Sequence, residues 1–269
     1  MKIHLASLLG FLFWMGLVPP LQAGTEVKAF LQGYSGGKDW VNVLLSVQQD
    51  QLRLDWKGPL SKGYLLYDRD SSQIALVDSR RRSLFVLPAA DQATLKLALA
   101  LFAGQLHKKA DNADAATRRN LEMAAKNARS FFNGAPQPEK EGETVGGFSC
   151  DSYLTRDEQG GKTRETWVAP PEKAGMPAED YNTFRSLSHL VISLCDPLLT
   201  EWGADTVTFS GNLSGSDFPI QELLYVKGGL SAKYKTLSVR SKDFDPGLFQ
   251  PPTDYKSLGL LDLLKHNGN

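Results

Sequence analysis

Five short alternating segments between Asp39 and Leu87, with only a few residues between them, leave this stretch little choice but an antiparallel meander. The alternation is sharpest at Gln51-Leu52-Arg53-Leu54-Asp55-Trp56, which sets Leu52, Leu54 and Trp56 on one face and Gln51, Arg53 and Asp55 on the other. Trp40 to Val47, Tyr64 to Asp68, Gln73 to Asp78 and Ser83 to Leu87 complete the run. Breaks fall at Gln49-Asp50, Gly58-Pro59, Asp70-Ser71 and Arg80-Arg81. Links this short cannot hold a helical crossover, so the sheet has a dry and a wet face, and other parts of the chain must cover the dry one. Glu26 to Tyr34 alternates in the same way and supplies a first strand, while Pro88 ends the block because proline cannot donate to a ladder.

Helical spacing follows. Asp91 is a candidate N-cap for a helix carrying Leu95, Leu99, Phe102 and Leu106, with Leu97, Ala98, Ala100 and Leu101 making most of its circumference apolar. A second helix is expected from Asp114 to the Asn133-Gly134 stop, with Leu121, Ala125, Ala128 and Phe132 on its apolar side. Gln137 to Glu143 has the composition of a charged linker, after which strands resume at Thr144 to Thr155 and Thr163 to Ala169. Pro177 opens a third helix bearing Tyr181, Phe184, Ser188, Val191 and Cys195 on one side. A short strand is expected at Val207 and Phe209, and a hairpin at Ile220 to Lys227 and Lys233 to Arg240 around Gly228-Gly229. Ser257 to His266 is either a short docking helix or an apolar tail that meets a partner. Strands on both sides of the helices can complete one sheet, which favours a single α+β domain.

The start of the chain has the pattern of a secretory leader. Lys2 is followed by an apolar run from Leu5 to Val18, then Pro19-Pro20, with a cleavage site expected after Ala23. That run is shorter than the roughly 20 residues a membrane span needs, so the mature chain is expected to be soluble and periplasmic or secreted. Without the leader the chain carries 29 basic and 30 acidic side chains, given 30 of each in the whole sequence and Lys2 in the leader. No basic excess remains to neutralise phosphates, which argues against nucleic acid as a partner. Cys150 and Cys195 both follow the leader, and two cysteines in an oxidising compartment are expected to pair as a disulfide, the rival being a nucleophilic thiol.

Catalytic signatures are missing. His107, His189 and His266 have no metal-ligand spacing, and no nucleophile elbow, phosphate loop or dinucleotide fingerprint occurs. Asp243 and Asp245 flank Phe244 in a turn before Pro246-Gly247, where aspartate commonly satisfies backbone donors. The expectation is therefore a non-enzyme without cofactor or metal. The aromatic set is more informative. Trp40, Trp56, Tyr64, Tyr67 and Phe85 lie in the meander, while Leu99, Phe102, Tyr181 and Phe184 lie on helices expected to cover it. They either fill an ordinary core or line a pocket for an apolar ligand. Trp40, Trp56, Tyr64, Tyr67, Phe85, Leu99, Phe102 and Phe184 are the candidate ligand-binding residues.

Several phrases resemble the bacterial lipoprotein-localisation-factor superfamily of LolA, LolB and RseB-like proteins. They are Gln51 to Trp56, Tyr64-Leu65-Leu66-Tyr67-Asp68, Arg82 to Pro88, Val145 to Tyr153, and Tyr234 to Arg240 followed by Lys242 to Tyr255. The resemblance implies a strongly curved antiparallel sheet, an incomplete barrel, with helices covering its concave face. It divides the chain into a leader at 1–23, one half-barrel domain at 24–256 with a helical insertion at 91–133, and a tail at 257–269. It also implies an apolar hollow that holds a lipid-like or other hydrophobic ligand, or, alternatively, a sheet that docks an envelope protein.

Overall fold

The computed structural model of the chain describes residues 23–33, 40–59, 62–111, 135–157, 159–201, 217–226 and 228–259, with isolated positions at 114, 115, 118 and 262. The leader before Ala23, nearly all of the second helix, the strand at Val207 and the tail leucines after Gly259 lie outside the described residues.

Among the described residues one sheet of twelve strands forms. Its first half is β1 (Gly24–Gly33), β2 (Trp40–Gln48), β3 (Gln51–Lys57), β4 (Lys62–Asp68), β5 (Gln73–Asp78) and β6 (Ser83–Leu87). Helix α1 (Gln92–Asp111) follows a short 3-10 turn. Then come β7 (Gln137–Val145), β8 (Phe148–Arg156), β9 (Lys162–Ala169), the one-turn α2 (Pro171–Ala174) and the long α3 (Ala178–Glu201). The chain continues through β10 (Phe218–Val226), β11 (Gly229–Lys242), a 3-10 turn at Pro246–Phe249, and β12 (Lys256–Leu258). The spatial order is β12-β6-β5-β4-β3-β2-β1-β11-β10-β9-β8-β7, so the sheet stays open between β12 and β7. Every ladder is antiparallel except that of β12 on β6, which is parallel.

Strict alternation puts apolar side chains in register across the meander. Val239, Val27, Leu45, Leu54, Leu65, Leu76, Phe85 and Leu258 face one another in a single row over eight strands. A one-residue slip would turn that whole row to the other face, which is why the register is so strongly specified.

Helix α3 covers this dry face, and the sheet bends around it. Tyr67 Oη on β4 lies 2.8 Å from Ser186 Oγ, while the Phe184 ring packs 5.8 Å from that of Phe218 on β10. β4 and β10 are five interstrand steps apart in the sheet order, about 24 Å on a flat sheet at roughly 4.8 Å per step. A helix with its side chains is only about 10–12 Å across. One helical turn touches both strands because the sheet is curved, with α3 on its concave side. Buried polar groups fix the helix there. The Thr25 hydroxyl donates to Asp180 Oδ2 at 2.6 Å, and the Thr183 hydroxyl donates to the Gln49 carbonyl at 2.5 Å. Gln49 sits at φ 54° in the β2–β3 turn, and its N–H reaches Asp180 Oδ1 at 3.3 Å. Burial pushes the Asp180 carboxyl up, against the pull of these two hydrogen bonds.

Two expectations are corrected. Gln137 to Glu143 is not a linker but most of β7, the edge strand; its side chains are mostly exposed, so no apolar period marks it. The Cys150–Cys195 bridge is not formed, and both thiols are free. Cys150 sits on β8, against which α2 packs at the N-terminal end of α3. Cys195 is 14 residues beyond Tyr181 on that helix, about 21 Å along its axis at 1.5 Å per residue. A disulfide needs Cα atoms within about 7 Å.

Candidate functional site

The face opposite α3 carries the other half of the alternation, with Glu26 and Lys28 on β1, Leu44 and Ser46 on β2, Arg53 and Asp55 on β3, and Tyr64 on β4. After β11 the chain turns onto this face. Asp245 accepts from the Gly247 N–H at 2.7 Å and Pro246 starts the 3-10 turn, which directs Phe244 and Phe249 inward as an edge-to-face pair 5.8 Å apart. Between this turn and the sheet lies a groove of about 650 Å³, within the roughly 300–1,000 Å³ usual for small-molecule sites.

Its apolar walls on this face come from Leu44, Leu237, Phe244 and Leu248; Val43 and Trp56 also border it, although their register with Ala29 and Gly63 sets them on the α3 side. Leu237 is 54% exposed, a large apolar side chain bordering open space. Gly63 lets the Trp56 ring lie across β4, since a Cβ there would sit 2.7 Å from Trp56 Cζ2. Two charged groups in the groove are already neutralised. Glu26 accepts from Arg240 Nε at 2.7 Å and from Lys242 Nζ at 2.6 Å. Burial raises its carboxyl, but the Lys242 and Arg240 contacts outweigh burial and hold it below the usual carboxylate range. Arg53 donates twice to Asp55, each at 2.8 Å, and once to the Leu248 carbonyl at 3.0 Å, and its guanidinium lies 3.7 Å from the Tyr64 ring centroid. This arginine ties the C-terminal turn to the sheet. Among the described residues Lys28, Lys57 and Lys62, which also line the groove, have no ion pair.

The eight candidate residues do not converge. Trp56 and Tyr64 line the groove. Tyr67 and Phe85 are buried on the concave side, Phe184 packs beside Tyr181 and Phe218, and Leu99 is half-buried on α1. Trp40 and Phe102 are exposed. Alternation missed Leu44, although it is an apolar residue at a wet-face position, and that exception is the signal that finds it; Leu237 has the parity of dry-face Val239 and is displaced only as the extra residue of the bulge opposite Lys28 and Ala29. Phe244 and Leu248 join only through the chain's return after β11.

Elsewhere, Arg164 on β9 faces Glu222 on β10 at 3.8 Å, and burial raises the Glu222 carboxyl. Tyr225 donates to Glu165 at 2.6 Å; burial, then that contact, pushes its phenol up to about 12. His189 is exposed on α3. Among the described residues no three His, Cys, Asp or Glu side chains gather as a metal site, and no helix is long and apolar enough to cross a membrane.

No protein-family model and no curated protein matches this sequence. Solved structures that align include an uncharacterized conserved protein from Thermus thermophilus, at 9% identity and TM-score 0.43 over 88% of this chain and 91% of that one. Another is MucB in complex with MucA(peri), at 9% identity and TM-score 0.37 over 88% of this chain. The aligned region spans 57% of the MucB chain.

Proposed function

We propose that this protein is a non-catalytic binding protein for a lipid-like or other hydrophobic ligand, exported from the cytoplasm, and that the ligand lies in the groove on the open face of the sheet. The groove itself carries the proposal: about 650 Å³ of space walled by apolar side chains, with the neighbouring charges Glu26 and Arg53 paired internally. On the concave side α3 packs Tyr181, Phe184 and Leu187 against a cluster that includes Phe218 and Ile220. Leu237→Glu places a charge in the apolar wall at an exposed position, so it should weaken binding of a fluorescent fatty-acid probe more than tenfold while leaving the thermal midpoint unchanged. Undiminished binding by that variant would remove the groove as the site.

A second reading, docking of a partner polypeptide in the envelope, is favoured by Leu97 and Leu101, both 63% exposed one turn apart on α1, with Phe102 next to Leu101 also exposed. Leu97→Asp with Leu101→Asp should then abolish pull-down of an envelope partner without loss of fold. Identical partners for variant and parent would sink it.

A further inference from the structure

Lys57 and Lys62 stand directly opposite each other on β3 and β4, on the open face, with Asn42 beside Lys57 on β2. Like charges directly opposed across a ladder destabilise it, and among the described residues neither lysine has an ion pair. Lys28, one row away on β1, is likewise without one. The groove they border is otherwise balanced: Glu26 satisfies Lys242, and Asp55 satisfies Arg53. Its lining therefore holds five cations against two carboxylates; Lys57 and Lys62 share the end row, and Lys28 lies in the next row, level with Leu44 and Asp55. The C-terminal turn borders the other end, through Phe244 and Leu248.

A groove bordered by an apolar turn at one end and by an opposed lysine pair at the other matches a molecule with an apolar chain and an anionic head. We infer that its ligand is a single-chain lipid with a phosphate monoester head, the head set among Lys57, Lys62 and Lys28 and the acyl chain directed past Leu44 and Leu237 to Leu248. Three unpaired ammonium groups suit a dianion better than a single carboxylate, and lysine binds phosphate as a point charge. This inference rests on the groove being the hydrophobic site and adds the chemistry of the head.

Titration calorimetry with the purified protein tests it, using lysophosphatidic acid, the monoacylglycerol of the same chain, palmitate and an acidic amphipathic peptide, each below its aggregation threshold. The expected result is at least tenfold tighter binding of lysophosphatidic acid than of monoacylglycerol, a gap that narrows as salt is raised. The gap should vanish in Lys57→Gln with Lys62→Gln, whose thermal midpoint should equal or exceed the parent's because the opposed charges are removed. Equal binding of the two glycerol lipids would overturn the head-group assignment and leave the groove intact. Palmitate binding as tightly as lysophosphatidic acid, a gap that survives the double substitution, or tighter binding of the peptide would also overturn it. Binding of none of the four would overturn both the groove and its head-group chemistry.

Discussion

Phe218→Ala should lower the unfolding free energy by about 4 kcal/mol and the thermal midpoint by roughly 10 °C. Phe218 is fully buried, and its ring meets Phe184 at 5.8 Å and Tyr181 at 6.5 Å, both edge-on. It joins β10 to the N-terminal half of α3. Truncation would therefore leave a cavity where the curved sheet closes on its helix, and would also lose about 0.5–1.5 kcal/mol for each ring pair. Phe218→Leu keeps most of the volume and should cost well under half as much. Chemical denaturation of both variants checks the order. Affinity of folded Phe218→Leu for the groove ligand should equal the parent's, because the ring lies on the other side of the sheet.

Glu26→Gln should destabilise the protein by about 2 kcal/mol at pH 7, since two charge-assisted hydrogen bonds are weakened while both cations, 54% and 44% exposed, recover hydration. The Glu26 side chain is itself only 3% exposed. The pH dependence has a definite sign. The folded carboxyl is held below its ordinary value of 4.5, so its contribution is complete above the unfolded pKa and is lost as pH falls through the folded one. Asp180 acts in the opposite sense: burial raises its carboxyl, so stability from its protonated form is present below the unfolded pKa and is lost as pH rises through the folded one. Glu26→Gln should therefore show a shallower acid limb than the parent when midpoints are followed from pH 7 to pH 3. An unchanged acid limb would mean that the Glu26 contacts contribute nothing.

Much of the sheet was legible because its code is local. Leu52, Leu54 and Trp56 alternate with Arg53 and Asp55, and the short turns at Gln49-Asp50 and Asp70-Ser71 leave antiparallel pairing as the only neighbour relation. The curved sheet with helices on one face followed from that alternation together with the resemblance. β7 was not legible, since an edge strand with exposed side chains such as Glu139, Lys140 and Glu141 carries no apolar period. The thiol pairing failed because the position of Cys195 along α3, relative to β8, depends on packing that no local pattern records. The groove escaped for a related reason. Leu44 and Leu237 are far apart in sequence and become neighbours only when β11 pairs with β1, and the end wall comes from a segment that crosses back afterwards. Aromatic content pointed instead to Tyr67, Phe85 and Phe184, which build the core.

Methyl-resolved NMR during titration with lysophosphatidic acid tests most directly that the ligand lies on the open face and not beneath α3. Shifts should concentrate at Leu44, Leu237 and Leu248, with Leu187, Leu190, Ile192 and Leu194 on the helix unmoved. Perturbation confined to the α3 methyls, with Leu44 and Leu237 silent, would contradict it.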